Sequence, residues 1–142
     1  LYKMENLKEE KGIGRIADLK NETDMDSLIP KIKEIYNLDL MKIIKVKDNI
    51  KKVALCSGSG SDFIKDAYYQ GADLYLTGDL KYHEAQIAEE LGINLIDFGH
   101  YGSEKFVRDL LKERLENEAP EKLKKELKFI KSELNTRPWN YN

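Results

Sequence analysis

Three short apolar runs recur between residues 51 and 106, each followed by a polar loop bearing glycine and then by a helical pattern. Lys52, Val53, Ala54, Leu55 and Cys56 lead into Ser57, Gly58, Ser59, Gly60, Ser61 and Asp62. Asp73, Leu74, Tyr75, Leu76 and Thr77 lead into Gly78, Asp79, Leu80, Lys81, Tyr82 and His83. Asn94, Leu95, Ile96, Asp97 and Phe98 lead into Gly99, His100, Tyr101, Gly102, Ser103 and Glu104. Strands alternating with helices build βαβ crossovers. The expected class is therefore α/β, with a mostly parallel mixed sheet flanked by helices. In such sheets the loops after the carboxyl ends of the strands gather on one edge, where ligands bind. Both histidines of the chain, His83 and His100, lie in these loops or just past them.

With 142 residues the chain can build one α/β domain, 1–142, around a real core. Its 24 basic and 26 acidic residues give no electrostatic ground for nucleic-acid binding. No run approaches the ~18 apolar residues of a membrane span, and no signal-peptide pattern opens the sequence. A cytoplasmic location is expected. The one cysteine, Cys56, leaves no internal disulfide and fits a reducing compartment. At the end of an apolar run it reads as a small buried hydrophobe rather than a reactive thiol. Residues 1–11 are polar, start without Met and read as a linker entered mid-protein, as in a fragment or a processed product.

Along the chain, residues 12–17 alternate apolar and polar side chains, as an edge or entry strand does. Gly12 and Gly14 are not followed by the helix that a dinucleotide fingerprint needs. Thr23 or Asp24 can cap a helix that runs to about Asn37, with Asp26 favouring its positive end. Pro30 is placed near the first turn of that helix. Residues 41–46 form a strand rich in Ile and Val. Val53 to Cys56 reads as an interior parallel strand, buried on both faces. Helices follow over 62–70, stopped by Gly71, and over 81–91, stopped by Gly92. A last helix is expected from Glu104 to about Leu115, carrying Phe106, Val107, Leu110, Leu111 and Leu115. Beyond Pro120, Leu123, Leu127, Ile130 and Leu134 keep helical spacing, although 127–131 suits a strand equally. Residues 135–141 close the chain as a loop.

The sharpest chemical signal is His100 with Glu104 four residues on. An imidazole nitrogen and a carboxylate oxygen at this spacing can converge on one divalent cation. They can equally be a hydrogen-bonded loop histidine and an acid favouring the helix dipole. Two ligands are too few for a catalytic site, and only His83 and Asp79 stand nearby as further candidates. Asp79 can also be a plain helix cap. His83 can be a satisfied imidazole, a general acid or base, or a group facing a bound water or substrate. The backbone amides of residues 57–61 can cradle an anion, but the loop lacks the Gly-Lys-Ser/Thr ending of a P-loop.

Taken in order, residues 12–16, 53–60, 72–83 and 99–104 resemble the C-terminal half of the Nif-three-like family, often labelled GTP cyclohydrolase 1 type 2 homologues. The resemblance runs over nearly the whole chain. It implies two similar α/β halves facing each other, of which this chain is one. It implies a dinuclear site of zinc, iron or manganese in the cleft, and ring-shaped homo-oligomers, often hexamers. The Gly-His…Ser-Glu motif carries the ligand roles to His100 and Glu104. The family's remaining ligands, histidines and an aspartate, belong to the other half, so a metal site in this chain alone is left open. His83 matches a family histidine near the cleft and is expected to assist catalysis. Asp79 stands where the family often has glutamate. The resemblance also makes 127–132 a strand, and the strand is the reading adopted here. The implied activity is that of a metal-dependent hydrolase acting on a small molecule. The alternative is a non-catalytic, metal-linked scaffold or regulatory module. Nothing in these residues selects GTP.

Overall fold

The computed structural model describes residues 12–139. The linker-like residues 1–11 and the end of the closing loop, 140–142, lie outside the described residues. In chain order the elements are strand β1 (Arg15–Asp24), helix α1 (Met25–Ile35), strands β2 (Lys42–Ile44) and β3 (Asn49–Ser59), and, after a short 3-10 turn (Ser61–Phe63), helix α2 (Ile64–Tyr69). Strand β4 (Leu74–Gly78), helix α3 (Tyr82–Leu91), strand β5 (Asn94–Asp97) and helices α4 (His100–Glu104), α5 (Val107–Glu118) and α6 (Glu121–Glu126) follow.

The strands form one sheet in the order β1-β3-β4-β5-β2. The central three are parallel, and both edge strands run antiparallel to their neighbours. The α/β class with a mixed sheet is thus the fold. Val53 to Cys56 does lie in an interior strand, but β3 is parallel to β4 on one side only. Its residues accordingly alternate in burial rather than being uniformly covered. The other two parallel strands, β4 and β5, are buried at every residue.

The two faces of β4 separate the core into two clusters. Tyr75 joins Ala54, Cys56, Ile64, Ala67, Ala88 and Leu95, beneath α2 and α3. Leu74 and Leu76 join Met25, Ile32, Ile50, Ile96 and Phe98, beneath α1. The period-2 alternation of strand side chains is what divides them. Cys56 is buried in the first cluster, and burial pushes its thiol pKa up.

The predicted caps act through their own chemistry. Asp24 caps α1: the Ser27 N–H donates to Asp24 Oδ1 at 2.8 Å and the Ser27 hydroxyl to Oδ2 at 2.7 Å. The Ser27 hydroxyl, and then its N–H, hold the Asp24 carboxyl below its ordinary range. Gly92 ends α3 in the left-handed region, at φ 76°. Pro30 lies within α1 rather than near its start, in the second turn counted from the Asp24 cap, where its missing N–H forfeits an intrahelical bond.

The tail departs from expectation. Residues 127–132 form neither strand nor helix. A strand exists only where a ladder partner pairs with it, and no strand of the sheet pairs with this segment. It is held against α5 instead, where Arg108 donates to the Ser132 and Leu134 carbonyls and Lys131 pairs with Asp109 at 2.7 Å. The helix expected from Glu104 begins later, as α5 at Val107, and Glu104 instead closes the separate turn α4. The apolar side chains Leu110, Leu111 and Leu115 of α5 are exposed. No helix among the described residues is long and apolar enough to cross a membrane.

Candidate functional site

The register of the parallel strands aligns their carboxyl ends. Ser59 pairs with Gly78, and Thr77 with Asp97. The three following loops therefore meet on one edge, and they meet closely. A Cβ on Gly78 would lie 2.7 Å from the Gly99 carbonyl carbon and 2.8 Å from the Gly58 oxygen. Only a residue without a side chain allows that approach.

A buried carboxylate holds two of these loops from below. Asp97 ends β5 with its side chain 3% exposed. Its Oδ1 accepts the Gly99 N–H at 2.9 Å, and its Oδ2 accepts the Leu80 N–H at 3.2 Å and the Lys42 ammonium at 2.9 Å. Ser103 ties the third loop in. The Gly58 N–H donates to Ser103 Oγ at 2.7 Å, and that hydroxyl donates to the His100 carbonyl at 2.7 Å. The Gly58 amide of the predicted anion cradle is thereby occupied from within the protein.

His100 and Glu104 begin and end the single turn of α4, so their side chains share a face. His100 Nε2 lies 3.1 Å from Glu104 Oε2. On the other side of the ring, His100 Nδ1 lies 2.7 Å from Asp79 Oδ2. The ring thus bridges two carboxylates contributed by different loops. The hydrogen bond to Asp79 is the main influence raising the His100 pKa; slight burial opposes it, and the Glu104 charge adds to it. All three side chains are about half exposed, at 50%, 51% and 47% for His100, Asp79 and Glu104, so the group opens to solvent. Gly58 makes room for it. At φ +69°, a Cβ there would stand 2.5 Å from Glu104 Oε1 and 3.5 Å from His100 Cε1.

The sequence-predicted residues separate here. The structure brings His100 and Glu104 together. Asp79 joins them and does not cap α3, whose cap position is Lys81 and whose first turn is closed by the Lys81 N–H donating to Glu84 at 2.7 Å. His83 is not brought onto this group: its Nδ1 contacts Gln86 Oε1 at 3.1 Å, and its ring meets Tyr82 edge-on at 5.5 Å. Sequence reasoning overlooked Asp97. The available signal was a carboxylate set between the apolar residues Leu95, Ile96 and Phe98, since a buried charge requires partners.

Two donors bound at about 2.0–2.2 Å to one tetrahedral cation sit roughly 3.4 Å apart. The 3.1 Å between Nε2 and Oε2 needs only a slight opening to match. The pair fits as two members of a donor set. Among the described residues, no group of three or more His, Cys, Asp or Glu is arranged to hold a metal ion.

Fold and site together define a mixed-sheet α/β unit that presents an imidazole between two carboxylates on the carboxyl edge of its parallel strands. The chain belongs to the Duf34/NIF3 (NGG1p interacting factor 3) family, whose model matches residues 1–138. It is 35% identical over 142 residues to the GTP cyclohydrolase 1 type 2 homolog of Listeria innocua, covering 99% of this chain and 38% of that protein. The homolog of the same name from Bacillus subtilis is 34% identical with the same coverage. The crystal structure of Staphylococcus aureus protein SA1388 superposes with a TM-score of 0.77 at 32% identity, covering 92% of this chain and 37% of that one. The chain thus spans about 38% of the length of these curated relatives.

Proposed function

We propose that the chain is the C-terminal part of a dinuclear-metal-binding protein, a metal-dependent hydrolase resembling the GTP cyclohydrolase 1 type 2 homologs. The observation that carries this reading is the approach of His100 Nε2 to Glu104 Oε2, at 3.1 Å, on the carboxyl edge of the sheet. A mixed nitrogen and oxygen donor pair suits zinc, iron or manganese. Divalent cations held there would activate a water and polarise a carbonyl or phosphoryl oxygen of a small-molecule substrate. His100 and Glu104 hold their donor atoms on one face of α4, and Ser103 keeps that turn seated on β3. The half-exposure of the pair leaves space for the rest of the donor set, contributed by the remaining length of the protein. His83, on the first turn of α3, moves a proton to or from the substrate. The complete protein works in the cytoplasm as a homo-oligomer, a hexameric ring.

A second reading, a non-catalytic metal-linked scaffold or regulatory module, draws support from the same contacts. The His100 ring already has a partner in this chain, the Asp79 carboxylate, and no third donor completes a set with His100 and Glu104 among the described residues. Elemental analysis of the chain and of the full-length protein, side by side, tests the first reading. Stoichiometric metal is expected in the full-length protein, lowered by His100→Ala and by Glu104→Ala. Unchanged metal content in either variant removes the ligand assignment. His83→Ala should lower hydrolysis while leaving metal content intact. Metal uptake without any phosphodiester- or nucleotide-hydrolysing activity leaves the scaffold.

A further inference from the structure

We propose that Asp79 is the positioning residue of this site: its carboxylate holds the His100 imidazole as the Nδ1–H tautomer, with the Nε2 lone pair turned toward Glu104. The inference deepens the metal reading above and rests on it for its consequence, although the tautomer can be measured without any metal.

A carboxylate only accepts hydrogen bonds, so whichever ring nitrogen faces one most closely keeps its hydrogen there. A neutral imidazole has one such hydrogen and, in this site, two carboxylates competing for it. The contacts are unequal, at 2.7 Å to Asp79 and 3.1 Å to Glu104, and charge-assisted hydrogen bonds strengthen as they shorten. The proton therefore resides on Nδ1. Nε2 is left as a free donor atom on the side of Glu104.

The backbone points the same way. Asp79 sits at φ 57°, one of two non-glycine residues at positive φ among the described residues. Such conformations are disfavoured for a residue with a side chain and are retained where the surroundings demand them. A glycine would adopt the turn without strain. What the aspartate adds is the contact to His100, since it leaves the start of α3 to Lys81 and Glu84. A ring nitrogen offered to a cation must be unprotonated, and its outer partner is what keeps it so. The opposite tautomer would present an N–H to the position a cation would take.

The test uses the metal-free chain labelled with nitrogen-15, at a pH where the ring is neutral. Two-bond proton–nitrogen correlation distinguishes the two tautomers, and His83 serves as the internal reference. His100 is expected as Nδ1–H. Asp79→Gly, which suits the left-handed backbone, should lose that preference, and Asp79→Glu should restore it. Glu104→Ala should leave it unchanged. A wild-type ring protonated at Nε2, a tautomer indifferent to Asp79→Gly, or one that switches in Glu104→Ala overturns the proposal. Metal content of the His100 and Glu104 variants tests the metal reading separately, so either can fail alone.

Discussion

Gly58 and Gly78 meet at the same sheet edge, yet an added methyl should act on them in opposite ways. At Gly58 the obstacle is the far end of a half-exposed side chain: the new Cβ would stand 2.5 Å from Glu104 Oε1. Glu104 can swing into solvent, so packing contributes little. What remains is the left-handed backbone at φ +69°, which costs an L-residue about 1–2 kcal/mol. At Gly78 the backbone is unstrained, but the Cβ would meet main chain on two sides, 2.7 Å from Gly99 and 2.8 Å from Gly58. Those segments are tied down by Asp97 and Ser103 and cannot withdraw. Overpacking of this kind should reach or pass the upper end of its usual range, about 3 kcal/mol. At roughly 4 °C per kcal/mol for a chain of this size, Gly58→Ala should lower Tm by about 4–8 °C and Gly78→Ala by about 12 °C or more. Urea and thermal melts of the two variants read this directly. Gly58→Ala should nonetheless be the variant that spoils the site while keeping the fold, because Glu104 is pushed from His100. A Gly58→Ala loss equal to or larger than that of Gly78→Ala would refute the reasoning. So would metal uptake by Gly58→Ala at the unmodified level in the full-length protein.

Two further outcomes follow from the hydrogen bonds. Asp73 accepts the Lys51 and Lys52 N–H groups at 2.9 and 2.8 Å and pairs with Lys47 at 2.8 Å. Partial burial pushes its pKa up, but Lys47 and the two amides outweigh it and hold the carboxyl below its ordinary 3.8. Its stabilising contribution is therefore fully present above the unfolded value of 3.8 and lost as pH falls through the lower folded value. Asp73→Asn should cost about 1.5–3 kcal/mol at neutral pH. The stability curves of variant and wild type should converge in acid melts as pH falls through the lowered folded value. Ser103→Ala removes the acceptor of the Gly58 N–H and should cost about 1–3 kcal/mol. Hydrogen exchange at the Gly58 amide should then accelerate in step with the lost stability.

The order of strands and helices, the Asp24 and Gly92 caps and the gathering of three loops on one edge were all legible in the sequence. Each rests on local rules: the period of apolar residues, a side chain reaching an amide three residues away, a glycine that turns left-handed. The His100 and Glu104 approach was legible for the same reason, since one helical turn fixes it. Only the tertiary structure decided the rest. It set β1 and β2 antiparallel on the two edges and left 127–132 without a ladder partner, although its composition allowed a strand. It moved Asp79 from a helix cap to a partner of His100, 21 residues away. It made Asp97 the buried tie between loops and gave Gly58 the space that Glu104 fills. Pairing register and the close approach of separate backbones depend on contacts between residues far apart in the chain, and local patterns carry no record of them.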